Sequence, residues 1–109
     1  MSAKYYNNNQ DTTNFSDTEC NLFLSANTVV SYTVPDNNGL PVQALFSYAS
    51  NSNVFVGYNV VPVIPTVNVP NTTSGEEYKP IKRFVNGGDV LNFISPDAAT
   101  YMGVSFRSL

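Results

Sequence analysis

The chain contains no histidine and no tryptophan, a single cysteine, and only 12% charged residues over 109 positions. Each shortage removes a class of chemistry. Without histidine there is no imidazole base, no Ser-His or Cys-His pair and no imidazole metal ligand. One cysteine makes neither an intramolecular disulfide nor a thiolate cage, so Cys20 reads as a small buried or half-buried thiol. Charged residues normally supply about a quarter of a soluble domain; here Asn, Ser, Thr and Tyr take their place, predicting a polar surface with little charge. Five Lys and Arg against eight Asp and Glu give a net charge of −3, the wrong sign for neutralising phosphates, which argues against nucleic acid as a partner. No run approaches the ~20 apolar residues of a membrane span, and MSAKYYNNNQ lacks the apolar centre of a signal peptide. The expectation is a protein made in the cytoplasm, with no membrane partner, no cofactor and no metal.

What is present is strand-forming sequence. Residues 1–19 stand apart: they are rich in Asn, Thr, Ser and Asp, with apolar content limited mainly to Tyr5, Tyr6 and Phe15. Such a segment cannot offset an ordering cost of about 1–2 kcal/mol per residue by burial. It reads as an extended polar arm, either idle or carrying three aromatic anchors for a partner. From Cys20 onward, short β-branched and aromatic runs alternate with Asn, Gly, Pro and Ser clusters. Thr28–Val34 places Val30, Tyr32 and Val34 on one face. Gln43–Ala49 places Ala44, Phe46 and Tyr48 together, and Asn53–Val61 reads as a long strand with Val54, Val56, Tyr58 and Val60 on one side. Turns are expected at Asp36-Asn37-Asn38-Gly39 and Asn51-Ser52-Asn53, each joining its flanking strands as a hairpin. Tyr78–Val85, Val90–Ile94 and Tyr101–Phe106 complete the set, the last with Met102, Val104 and Phe106 inward. About seven or eight strands with turns at roughly ten-residue spacing predict an all-β fold, a single antiparallel β-sandwich of jelly-roll or immunoglobulin-like kind over residues 20–109.

Val60–Pro70 is apolar enough for a core strand but contains Pro62, Pro65 and Pro70, which cannot donate to a ladder. It is expected to be an edge or an extended run outside the sheets. It either folds over the domain's own core or packs, through Val63, Ile64 and Val67, against a neighbouring subunit. Asn71–Glu77 is expected to be a surface loop. Lys79, Lys82 and Arg83 form the one basic cluster, next to Glu76 and Glu77; they read as a charged edge strand or as a salt-bridging strip at a subunit contact. The eight carboxylates fall in the arm or at expected turns, where no catalytic pair with a raised pKa is built. The Asp36 turn offers oxygens of the kind calcium takes, but turn chemistry accounts for them. Asn14 and Asn71 match the N-glycosylation pattern by composition. The seven tyrosines are scattered, and a lectin-like use of Tyr and Asn remains a second reading.

Gly87-Gly88-Asp89-Val90-Leu91-Asn92-Phe93-Ile94-Ser95-Pro96, followed by Tyr101-Met102-Gly103-Val104-Ser105-Phe106, resembles the closing hairpin of small virion proteins of tailed bacteriophages. With its short length and polar arm, the chain resembles their capsid decoration (cement) proteins. The resemblance implies a non-enzymatic virion component on the capsid surface, a homotrimer, with the major capsid protein as partner. The candidate partner contacts, read from the residues themselves, are Tyr5, Tyr6, Phe15, Val63, Ile64, Val67, Lys79, Lys82 and Arg83. A carbohydrate-binding module of a fibre or tail, or another head–tail component, is the alternative.

Overall fold

A computed structural model describes residues 18–66 and 76–108. Eight strands form in chain order: β1 Thr18–Ser25, β2 Val30–Thr33, β3 Val42–Tyr48, β4 Phe55–Tyr58, β5 Glu76–Tyr78, β6 Lys82–Val85, β7 Val90–Ile94 and β8 Ala99–Ser108. They make two antiparallel four-stranded sheets, ordered β1-β8-β3-β6 and β2-β7-β4-β5. The described residues contain no helix. The pairs β1–β8, β2–β7, β3–β6 and β4–β5 are nested like the two arms of one long hairpin rolled up on itself. That nesting is the jelly-roll arrangement, and it decides between the two sandwich topologies expected above.

The alternating residues of both sheets meet between them. Leu24, Val34, Val54, Val85, Leu91, Phe93, Val104 and Phe106 are almost wholly buried, and the ring of Tyr32 on one sheet stacks on Phe106 of the other at 5.6 Å. Burial of Phe and Leu side chains contributes about 1.5–3 kcal/mol each, so this layer is what stabilises the sandwich. Cys20 lies at its edge, and burial raises its thiol pKa. Asparagine serves the bends: Asn27, Asn38, Asn51 and Asn59 all take positive φ, a conformation Asn tolerates better than most residues.

Several expectations need correction. β1 begins at Thr18, which pairs with Phe106, so the ordered sheet starts inside the stretch read as arm. The turns after β2 and β3 occur as expected, with Asn38 and Gly39 at positive φ in the first, but they do not make hairpins. Every connection except β4–β5 carries the chain from one sheet to the other. The Gly87–Phe106 segment is likewise no hairpin, since β7 pairs with β2 and β4 while β8 pairs with β1 and β3. Tyr78–Val85 is two strands on different sheets, broken where Lys79 adopts φ 47° before Pro80. Glu76 and Glu77 belong to β5 rather than to a loop. The long strand expected over Asn53–Val61 is paired only from Phe55 to Tyr58. It ends because Asn59 turns at φ 57° and the chain doubles back.

Candidate functional site

The run after β4 is an extended segment outside the sheets that packs on its own domain. Residues 61–65 join no sheet, and the segment folds back over the outer face of the β2-β7-β4-β5 sheet. Val60 O accepts a hydrogen bond from the buried Asn92 Nδ2 at 2.8 Å. At Gly57 the backbone of Val60 passes so close that a Cβ there would sit 2.2 Å from its carbonyl oxygen and 2.9 Å from Pro62 Cδ. Pro62 is buried against the domain, whereas Val61 and Val63 face outward. The Val63 N–H donates to Glu76 Oε1 at 3.0 Å, which places this strip beside β5.

β5 and β6 are edge strands of the two different sheets, and the chain crosses between them at Lys79-Pro80-Ile81. The crossing is tied at three points: Lys79 N–H to Val54 O, the Tyr48 hydroxyl to Pro80 O, and Phe46 N–H to Ile81 O. Burial pushes the Tyr48 phenol far above its ordinary range, which outweighs the nearby Arg83 charge. The Lys79 ammonium lies 5.6 Å from the Tyr48 ring centroid and 6.0 Å from that of Tyr78, a cation–π arrangement that orients the lysine along the edge.

Here the sandwich is open. A crevice of about 580 Å³ runs inward from the edge, with Phe46, Val56, Val85 and Leu91 among its walls and Tyr58, Glu77 and Arg83 at its rim. Arg83 spans from β6 to Glu77 on β5 with two N–H donors, Nε to Oε1 at 2.8 Å and Nη2 to Oε2 at 3.1 Å. This hydrogen-bonded pairing raises the Arg83 pKa. Both side chains are half exposed, so the pair contributes only about 0.2–1 kcal/mol to folding and serves chiefly to set the rim. Tyr58 donates to Asp89 Oδ2 at 2.6 Å, and that bond raises the tyrosine's pKa. Burial works to raise Asp89, but donation from Tyr58, the Asn86 N–H and Asn59 outweighs it and holds the carboxyl low.

Exposed apolar side chains line the outside of the same edge: Val61 and Val63 beside β5, Tyr78 on β5, Ile81 at the crossing and Phe84 on β6, each more than half exposed. The structure therefore gathers the expected contact residues Val63, Lys79, Lys82 and Arg83 along one edge, with Ile64 half-buried next to Val63. Tyr5, Tyr6, Phe15 and Val67 lie outside the described residues, as do the glycosylation matches at Asn14 and Asn71. Sequence reasoning passed over Ile81 and Phe84. Their signal was an apolar pair interleaved with the charges of a short edge strand, where an exposed aromatic has no use in the domain's own core.

Other carboxylates serve turns. Asp97 accepts from the Asn53 N–H and side-chain amide, which lower its pKa, and Asp36 Oδ1 faces the Gly39 N–H at 3.4 Å. Among the described residues no group of three or more His, Cys, Asp or Glu is placed to hold a metal ion, and no helix is long and apolar enough to cross a membrane. No family model matches the chain, no curated protein matches it, and no solved structure matches it.

Proposed function

We propose that this protein is a virion structural component, a capsid decoration protein that attaches to the shell of the major capsid protein as a small homo-oligomer, a trimer, on the capsid surface. It works by adhesion, with no reaction catalysed. The observation that carries the reading is the β5–β6 edge, where exposed Phe84 lines a crevice open to the core and exposed Tyr78 and Ile81 stand on the strand and the crossing that border it. Large exposed apolar side chains along a sheet edge suit association, and an unprotected edge otherwise invites aggregation. Burying one such aromatic contributes about 1.5–3 kcal/mol before association costs, so a single edge binds weakly. An oligomer presenting several edges to a repeating shell multiplies these contacts into stable attachment. Lys82 and Arg83 supply the polar rim and set the register of the contact.

The test is co-sedimentation of the purified protein with assembled shells of the major capsid protein encoded alongside it. Ile81→Ser with Phe84→Ser alters side chains already in water, so the melting temperature is expected to stay close to that of the parent while attachment falls at least about tenfold. Removing residues 2–17, which leaves β1 intact, is expected to preserve the fold and abolish attachment. Undiminished sedimentation of both variants would remove this edge and the arm from the function.

A further inference from the structure

A second depression lies on the outer face of the β1-β8-β3-β6 sheet. Phe23 and Tyr101 are register partners on β1 and β8. Their rings meet edge to face, 5.1 Å between centroids, yet 53% and 65% of these residues remain exposed. Two residues along, on the same face, Asn21, Gly103 and Ser47 lie side by side across β1, β8 and β3. Because Gly103 has no side chain, this row forms the floor of a depression of about 490 Å³ with the rings at its end. The Asn21 amide oxygen and the Ser47 hydroxyl lean over that floor, 3.0 and 3.2 Å from where a Cβ on residue 103 would stand. Ser47 makes only a long 3.5 Å contact to Gly103 O.

We infer that this depression binds a neutral sugar ring, a pyranoside whose C–H face packs on Tyr101 and whose hydroxyls exchange hydrogen bonds with Asn21 and Ser47. The residues lining it are apolar or neutral and polar, with no carboxylate, ammonium or guanidinium among them, so it offers nothing to pair with a charged ligand. A purely apolar partner would strip water from the carboxamide and the hydroxyl without replacing it. A protein partner needs about 800 Å² on each side, far more than one concave cell spans. Aromatic surface beside a few convergent neutral polar groups is the composition of a small-ligand site.

The experiment is an NMR titration of the intact, isotope-labelled protein with methyl β-D-glucopyranoside, methyl β-D-galactopyranoside and methyl N-acetyl-β-D-glucosaminide, each to about 20 mM, since open single-ring sites bind in the millimolar range. At least one is expected to shift the Asn21 side-chain amide and the Gly103 N–H saturably. Tyr101→Ala is expected to weaken that binding at least about tenfold, while Tyr101→Phe stays within about threefold. Gly103→Ala fills the floor and provides an independent variant. Its new methyl group meets only side-chain ends at close range, the nearest backbone atom being 3.6 Å away, so the fold is retained and binding is lost. Absence of shifts with all three sugars, or binding that survives Tyr101→Ala and Gly103→Ala, overturns the inference. So does loss of capsid attachment in these variants without any sugar binding by the parent, which would make this face a protein contact. The Ile81→Ser, Phe84→Ser variant is expected to keep its sugar response, so failure of one site is distinguishable from failure of the other.

Discussion

Two glycine-to-alanine substitutions, one on the outer face of each sheet, are expected to have very different effects. At Gly57 a methyl group would stand 2.2 Å from Val60 O and 3.1 Å from Val60 C, so backbone must move. Forcing an extra carbon into a packed site costs about 1–3 kcal/mol. Shifting Val60 also takes the acceptor from the buried Asn92 amide, a further loss of about 1–3 kcal/mol. Alanine reduces the entropy of the unfolded chain, which returns about 0.4–1 kcal/mol. The net destabilisation of Gly57→Ala is therefore about 1–5 kcal/mol, centred near 3. At Gly103 the close contacts are the movable ends of Asn21 and Ser47, and the net change is expected within about 0.5 kcal/mol of zero. Urea unfolding separates the cases, because a domain of this size has a slope of about 1 kcal/mol per molar urea. The Gly57→Ala midpoint should fall by about 1–5 M, or the protein should be unfolded in buffer, while Gly103→Ala moves by at most about half a molar. Equal, small shifts for both would mean that the Val60–Pro62 strip does not lie on the sheet.

The Asp89 and Asp97 carboxyls are held below their unfolded values by donated hydrogen bonds, so their contribution to stability is present above about pH 4 and is lost as the pH falls through the folded-state values. Thermal melts from pH 7 downward should show acid destabilisation that is blunted in Asp89→Asn and Asp97→Asn; an unchanged acid slope in both variants would refute their role as turn acceptors. Cys20, buried and with its thiol pushed up, is expected to react with iodoacetamide at neutral pH only as fast as the protein opens, and mass spectrometry with and without urea reads that difference. Phe93→Ala, at the centre of the core, should cost about 3–5 kcal/mol in the same urea assay; a loss below about 1 kcal/mol would contradict the assignment of β7 as the central buried strand.

Period-two alternation identified the faces of β2, β3 and β8, because inward and outward residues follow from the pleat alone. Val30, Tyr32 and Val34, or Met102, Val104 and Phe106, share a side whatever strand lies next to them. Turn positions were legible for a similarly local reason: Asn38, Gly39 and Gly88 accept positive φ. What the pattern did not contain was the neighbour. A four-residue connection spans the ~5 Å between paired strands and the ~10 Å between stacked sheets equally well, so the same turn chemistry serves a hairpin and a sheet crossing. Lys79 concealed the break between β5 and β6 because a lysine at positive φ carries no compositional mark. The candidate site was half legible for the same reason. Lys79, Lys82 and Arg83 were conspicuous as scarce positive charge, whereas Phe84 became noticeable only once its strand proved to be an edge.

The amino-acid order by itself determined that this is a β-sandwich, which residues face its interior and where the chain bends, because these follow from side-chain alternation and from the backbone freedom of single residues. Only the tertiary structure decided that the strands nest as a jelly roll, that β5 and β6 leave an apolar crevice between two sheet edges, and that Tyr101 meets Phe23 beside the bare floor at Gly103. Those features depend on which segments become neighbours, a choice made by packing the whole core at once and recorded in no short stretch of sequence.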